Sequence, residues 1–253
     1  MKNILLAAFA LCFASGLFAQ SGPQLYNFGF DTWSRKGGAW CLYPKNASAS
    51  QKIWDTPNRA TSTFGVNLAK PEYEHVAVQG DGKAAVRLES RKVAWAFVPG
   101  NLYNGRYIRA VELKGVETEL GAPFTARPKG LKGYYHYIPK KIDVCKDQSK
   151  QMLGKMDEGM IEVLLTDWSE PLRQVSHKDG FLDTVNDPHI IGKAYIYLDK
   201  ATSDYVPFEV PFVYKNGKTP SYAAFTISSS RFGEIQAGAS GSVLYVDEFE
   251  FTY

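Results

Sequence analysis

Along most of the chain, apolar and polar residues alternate in short runs instead of returning every three or four positions. Period-two stretches bounded by Gly, Pro, Asn and Asp predict β-strands. They fall at 24–30, 84–89, 93–98, 132–138, 160–166, 190–198, 208–214, 222–228 and 242–253. No long stretch carries the 3.6-residue helical period. The nearest, 147–156, contains Gly154 and predicts at most a helical turn. Residues 37–79 read as a long irregular segment in which Trp40, Tyr43, Trp54 and Phe64 lie among Ser, Asn, Lys and Pro. Long loops of this kind carry function more often than tight connectors do. No internal repeat and no Pro/Ser/Gly linker divides the chain, so the pattern predicts one all-β antiparallel sandwich of jelly-roll type.

The last run sharpens this picture. Its odd positions are Val243, Tyr245, Asp247, Phe249, Phe251 and Tyr253, and its even ones Ser242, Leu244, Val246, Glu248, Glu250 and Thr252. Strand side chains alternate faces, so the odd set is expected to be the better-buried one, with Asp247 in its midst. A lone carboxylate there costs several kcal/mol unless it is paired or bound to a metal. Asp247 needs a partner.

The amino terminus bears on location. Lys2, the apolar run from Ile4 to Phe13 and the small residues Ser15, Gly16 and Ala19 read as a signal peptide over 1–19, cleaved before Gln20. The run is too short to span a bilayer, which takes roughly 20 residues. Cys12 follows the bulky Leu11, so lipidation is not expected. The expectation is an exported protein with one domain over 20–253, in the periplasm, outside the cell or at its surface. About 234 residues remain, enough to hide roughly 70–75% of the unfolded surface without a staple. The formal charge of +3 falls by one when Lys2 is removed, and acids and bases are mixed, unlike the basic stripe of a nucleic-acid binder. Export permits a disulfide between Cys41 and Cys145. Two free thiols is the preferred reading.

Aromatic content is the unusual number, 14% with five Trp and fifteen Tyr. These rings offer a flat apolar face and a polar handle, which suits wet sites. Trp33, Trp40 and Trp54 lie in irregular segments, and Trp168 ends a strand beside Asp167. Tyr135 and Tyr137 share one face of a strand, with Tyr134 and His136 on the other. Arg127 is suited to a bidentate pair with a carboxylate or acidic sugar. A pyranose stacks its C–H face on such rings while planar polar groups take its hydroxyls. Trp33, Trp40, Trp54, Arg127, Tyr135, Tyr137, Asp167 and Trp168 are therefore the candidate saccharide-binding residues, with ordinary packing the competing role for each aromatic. His75, His136, His177 and His189 lack the spacing of zinc ligands.

Two segments carry a resemblance. Tyr26-Asn27-Phe28-Gly29-Phe30-Asp31-Thr32-Trp33 resembles the opening motif of galactose-binding-like jelly rolls. The run from Ser242 to Phe251, with Asp247-Glu248 at its centre, resembles their closing strand. More specifically, the chain is similar to the putative carbohydrate metabolism domain (PCMD) family of secreted proteins of gut-type Gram-negative bacteria. Beyond Phe30-Asp31-Thr32-Trp33, the carrying residues are Pro99-Gly100-Asn101-Leu102, Gly121-Ala122-Pro123-Phe124 with Arg127-Pro128, and Leu131 to Tyr137. Val210 to Tyr214, Ser228-Ser229-Ser230 and Gly238 to Ser242 complete the set. The resemblance implies that the first and last strands lie side by side. It also implies a structural Ca²⁺ held by Asp31 and Asp247. The alternative is that Asp247 accepts hydrogen bonds from backbone or Trp33 and binds no ion. No other cofactor is required.

Glycoside hydrolysis usually takes two carboxylates about 5–10 Å apart. Glu162 and Asp167 differ in strand parity, as do Asp247 and Glu248, and there is no Gly-x-Ser-x-Gly elbow. The leading expectation is a non-catalytic carbohydrate-binding protein whose partner is a poly- or oligosaccharide. A glycoside hydrolase or lyase using a cross-strand acid pair is the alternative, and a structural or adhesion subunit the third.

Overall fold

The computed structural model describes residues 22–111, 115–175 and 182–253. The signal segment and His177 lie outside them. Two antiparallel sheets are present, with two small hairpins beside them. Among the described residues the large sheet has nine strands. Its main path runs Leu172–Val175, Gly115–Leu120, Asn101–Val111, Tyr222–Ser228, Gly159–Thr166, Ile190–Leu198 and Val213–Tyr214. Trp54–Asp55 pairs with Asn101–Val111, and Ala122–Pro123 with Tyr222–Ser228. The small sheet runs Val206–Pro211, Gly130–Ile138, Val243–Thr252, Ala85–Glu89 and Ala69–Glu72. The helical turn expected at 147–156 is a 3-10 helix, Asp147–Met152. No described helix is long and apolar enough to cross a membrane.

Period-two alternation builds the core. Ile161, Val163 and Leu165 alternate with Met160, Glu162 and Leu164, while Ala223, Phe225 and Ile227 alternate with Ala224 and Thr226. The first set of each is buried in one apolar cluster with Leu131, Tyr137, Val86, Leu88, Leu244 and Val246 from the small sheet. Burying each large side chain stabilises the fold by about 1.5–3 kcal/mol. Phe225→Ala, at the centre, is expected to cost about 3–5 kcal/mol.

Four expectations need correction. Residues 24–30 are a turn and not a strand, because Asn27 and Phe30 take φ of 52° and 64°. The Asn27 side chain holds this turn, accepting from Thr32 N at 2.9 Å and donating to Thr32 O at 3.0 Å. Phe28 and Phe30 still enter the core, where Phe28 stacks on Trp54 with ring centroids 6.1 Å apart. The segment does run beside the last strand: Phe249 N donates to Phe28 O at 3.0 Å, and Gln24 bonds the Phe251 backbone in both directions.

The last strand changes face midway. Glu248 has φ 49°, and opposite it the register slips between Lys132 and Tyr134. Before this bulge the even residues Leu244 and Val246 face the core, and after it the odd residues Phe249 and Phe251 do. A bulge adds one residue and so reverses the alternation. Gly133 sits across from it, where a Cβ would meet the Phe249 ring at 2.4 Å. Asp247 is thus on the outer face, buried by the segment above it and not by the core.

The run at 208–214 is two strands in two sheets: Val206–Pro211 pairs with Gly130–Ile138, and Val213–Tyr214 with Ile190–Leu198. The buried Phe212 marks the crossing. The run at 93–98 is a hairpin, Arg91–Val93 with Ala96–Val98, turning at Ala94 and Trp95.

Candidate functional site

The eight sequence candidates do not converge. Trp54 is 1% exposed and donates its indole N–H to Tyr26 O at 2.9 Å. Tyr137 is sealed in the core with its hydroxyl donating to Ser229 O at 3.0 Å, and Tyr135 packs inward against Phe208. Trp168 is buried in a smaller cluster with Leu164 and Ile190. None of these four rings is placed to stack a ligand, because alternation and packing turn them to the apolar side. Trp33 and Trp40 meet edge to face at 6.4 Å and are half-buried, with Arg35 over Trp40 at 4.7 Å. Arg127 stacks on Tyr214 at 4.0 Å and donates to the carbonyls of Lys218 and Asn216. Asp167 lies between Lys218 and His189, whose hydrogen bonds, that of Lys218 foremost, hold its carboxyl below the usual range.

Asp31 and Asp247 are not a matched pair. Asp31 accepts from Lys83 Nζ at 3.1 Å and from Ala84 N at 3.0 Å. The same ammonium is paired with Glu248, chiefly through a hydrogen bond that raises the lysine pKa. Asp247 accepts from Ala77 N at 2.8 Å, while Trp33 donates to Phe30 O instead. A lysine therefore stands between Asp31 and Glu248, where an ion would need several oxygens. No group of three or more His, Cys, Asp or Glu among the described residues is placed to hold a metal. The charge partner that the structure shows for Asp31 and Glu248 is Lys83. Cys41 and Cys145 are free thiols.

The outer face of the large sheet carries a different constellation. Tyr103, Thr226, Glu162 and Tyr195 stand opposite one another in register across four adjacent strands. One step along, Asn101, Ser228, Met160 and Tyr197 form a parallel row. A cavity of about 370 Å³ runs over six of these eight, with Pro57, Thr61, Gln174 and Arg231 also in its lining, while Tyr195 and Tyr197 stand on the adjacent strand outside that lining. That is near the low end of the ~300–1,000 Å³ typical of ligand sites. Gly105 lets the strand beneath Tyr103 approach its neighbour, with φ 134° and a notional Cβ only 2.0 Å from Glu119 O.

The charged side chains here are held by partners, whereas the buried Asn101 Oδ1 has no hydrogen-bond partner. Glu162 pairs with Lys193, whose ammonium also donates to Thr184 Oγ1 at 2.9 Å and lies 4.7 Å from the Tyr195 ring. Arg231 pairs with Glu158 at 2.6 Å and lies 4.4 Å from the Tyr197 ring. Tyr195 and Tyr197 are 48% and 43% exposed, with centroids 5.1 Å apart. Burial and the nearby Asp55 carboxylate hold the Tyr103 phenol well above its ordinary pKa, so it stays a neutral donor. Asp55 lies behind the groove, pushed up to about 6 by burial. Glu162 is the one carboxylate among the described residues lining the groove. The arrangement offers flat rings, hydroxyls, an amide and a fixed ion pair.

A second depression, about 490 Å³, lies on the small sheet and is lined by Lys132, Tyr134, Glu209, Glu248 and Glu250. It is dominated by charge and carries no exposed pair of rings.

None of the eight sequence candidates lines the large-sheet groove. The signal that could have pointed to this sheet face is Lys193-x-Tyr195-x-Tyr197 on the strand beside the groove, polar and aromatic on one face of a strand whose other face is Ala194, Ile196 and Leu198.

An antiparallel sandwich with an open, ring-bearing groove on one sheet defines the class. The chain belongs to the family described as "Putative carbohydrate metabolism domain", whose model matches residues 29–252. It is similar in structure to a putative glycoside hydrolase from Bacteroides thetaiotaomicron VPI-5482, with TM-score 0.68 and 20% identity over 89% of this chain and 70% of that one. A putative glycoside hydrolase from Bacteroides vulgatus ATCC 8482 gives TM-score 0.65 and 19% identity over 89% and 96%. At such identities the likeness is one of fold. No curated protein matches.

Proposed function

We propose that this carbohydrate-related domain binds a glycan along the outer face of the large sheet without cleaving it. The observation that carries this is the in-register row Tyr103–Thr226–Glu162–Tyr195. A sugar ring laid across it meets tyrosine faces at the edge, while Thr226, Gln174 and the Glu162–Lys193 pair take hydroxyls. Among the described residues the groove has one carboxylate, already matched by an ammonium, which supports binding over hydrolysis, a reaction that usually needs two acids. The groove is shallow, so affinity is expected on the order of µM to mM. The amino-terminal pattern fits export, where such a protein meets polysaccharide.

Affinity electrophoresis in gels containing xylan, β-glucan, galactomannan or β-1,4-galactan tests this. Wild-type protein is expected to be retarded by at least one polymer, and Tyr195→Ala and Glu162→Gln to run free. Retardation unchanged in both variants overturns the assignment of the groove. Reducing ends released by wild type and lost in Glu162→Gln overturn the non-catalytic reading.

A further inference from the structure

The hairpin of Arg91–Val93 and Ala96–Val98 is seated at its base and open at its tip. Val93 and Phe97 are buried, and a Cβ on Gly238 would fall 2.1 Å from the Phe97 ring. Because Val93 pairs with Ala96, the turn residues are Ala94 and Trp95. Two-residue hairpin turns favour Gly, Asn or Asp, which accept positive φ. Here Ala94 has φ 51°, and the following Trp95 is 69% exposed. Neither choice favours stability. Local rules broken without a packing gain concentrate at functional positions.

A second exposed ring meets the first. Phe64 ends the 3-10 helix Ser62–Phe64 and is 53% exposed. It stands edge to face with Trp95, centroids 6.4 Å apart and planes at 86°. Both segments run directly into the groove lining: Ala60 and Thr61 precede Phe64, Val98 ends the hairpin and Pro99 follows it, and all four line the cavity. Trp95 and Phe64 do not line it. The pair therefore stands beside the groove, on a fixed mount.

We propose that Trp95, braced by Phe64, is a further saccharide subsite. Its indole stacks the C–H face of a pyranose in a glycan whose neighbouring rings lie in the groove. The inference rests on the groove being the glycan site. Two rings make a platform the size of one sugar, far below the roughly 1,000 Å² a stable protein interface buries. The flanking cations are engaged: Arg91 pairs with Glu89 at 2.9 Å and Lys92 with Asp143 at 3.5 Å. What remains at the tip is an aromatic face. Affinity should consequently depend on glycan length.

Isothermal titration with cello-, xylo-, manno- and β-1,4-galacto-oligosaccharides of two and six residues tests this. In the series that binds, Trp95→Ala is expected to weaken the hexasaccharide by about three- to tenfold and leave the disaccharide unchanged. Trp95→Phe should keep most of the hexasaccharide affinity, and Tyr195→Ala should weaken both lengths. If Trp95→Ala has no effect, or the same effect on both lengths, while Tyr195→Ala weakens both, the subsite is overturned and the groove stands. If Tyr195→Ala changes neither length, or wild type binds no series, the groove reading falls and this inference with it. Loss of self-association in light scattering, with titrations unchanged, would instead assign Trp95 to a contact between copies and overturn the proposal.

Discussion

Ala77 donates its backbone N–H to Asp247 Oδ2 at 2.8 Å, while Asp247 Oδ1 is buried with no hydrogen-bond partner. The carboxylate is 1% exposed, and burial, reinforced by Glu248 and Asp31, pushes its pKa up to about 6 from 3.8. An acid whose folded pKa is raised binds more protons folded than unfolded between these values. Its contribution to stability is fully present below about 4 and lost as pH rises through about 6.

Replacing this acid by its neutral isostere should remove that dependence. Relative to wild type, Asp247→Asn is expected to gain on the order of 2 kcal/mol in unfolding free energy between pH 4.5 and pH 8. Denaturant melts at the two pH values check this. A difference that stays constant would show that Asp247 is ionised at both.

Lys83 answers the charge of Asp31 and Glu248 with a side chain. EDTA and millimolar Ca²⁺ are expected to leave the wild-type Tm unchanged. Lys83→Met should cost on the order of 1–2 kcal/mol, because two partly buried carboxylates lose their shared donor. Differential scanning calorimetry checks both. A rise of several degrees on adding Ca²⁺ to wild type would contradict the lysine account.

Tyr137 separates packing from recognition. Tyr137→Phe removes the bond to Ser229 O and should cost about 1 kcal/mol while leaving retardation in polysaccharide gels unaltered. Tyr195→Ala should do the reverse. A Tyr137→Phe protein of normal stability that no longer binds would place Tyr137 at the ligand.

The pattern of the chain specified the sandwich well and left the large-sheet groove unread, for different reasons. Runs such as 160–166, 190–198 and 222–228 became central strands because burial on one face enforces strict alternation. Alternation counts residues, however, and a bulge at Glu248 adds one, so the inward set was misassigned over Leu244 and Val246. Phe28 and Phe30 mimic a strand although left-handed Asn27 and Phe30 make a turn. Asn101–Val111 went unread because Asn104 and Gly105 look like breakers. In fact Asn104 is buried, its side chain bonding Ala223 O and Phe225 N at 2.7 Å each. The groove escaped because weight fell on tryptophans in irregular segments. Two of the three buried candidates, Trp54 and Tyr137, hide a polar tip on a backbone carbonyl, which composition does not reveal. The groove is assembled from positions far apart in sequence, so only strand register brings Tyr103, Thr226, Glu162 and Tyr195 together.

Glycan bound along the open face of the large sheet is the central claim, and a crystal structure of the protein soaked with the best-binding hexasaccharide tests it most directly. Sugar density over Thr226 and Glu162, with a ring against Tyr195 or Tyr197, is the expected result. Density confined to the depression beside Tyr134 on the small sheet, with the large-sheet groove filled by solvent alone, would contradict it.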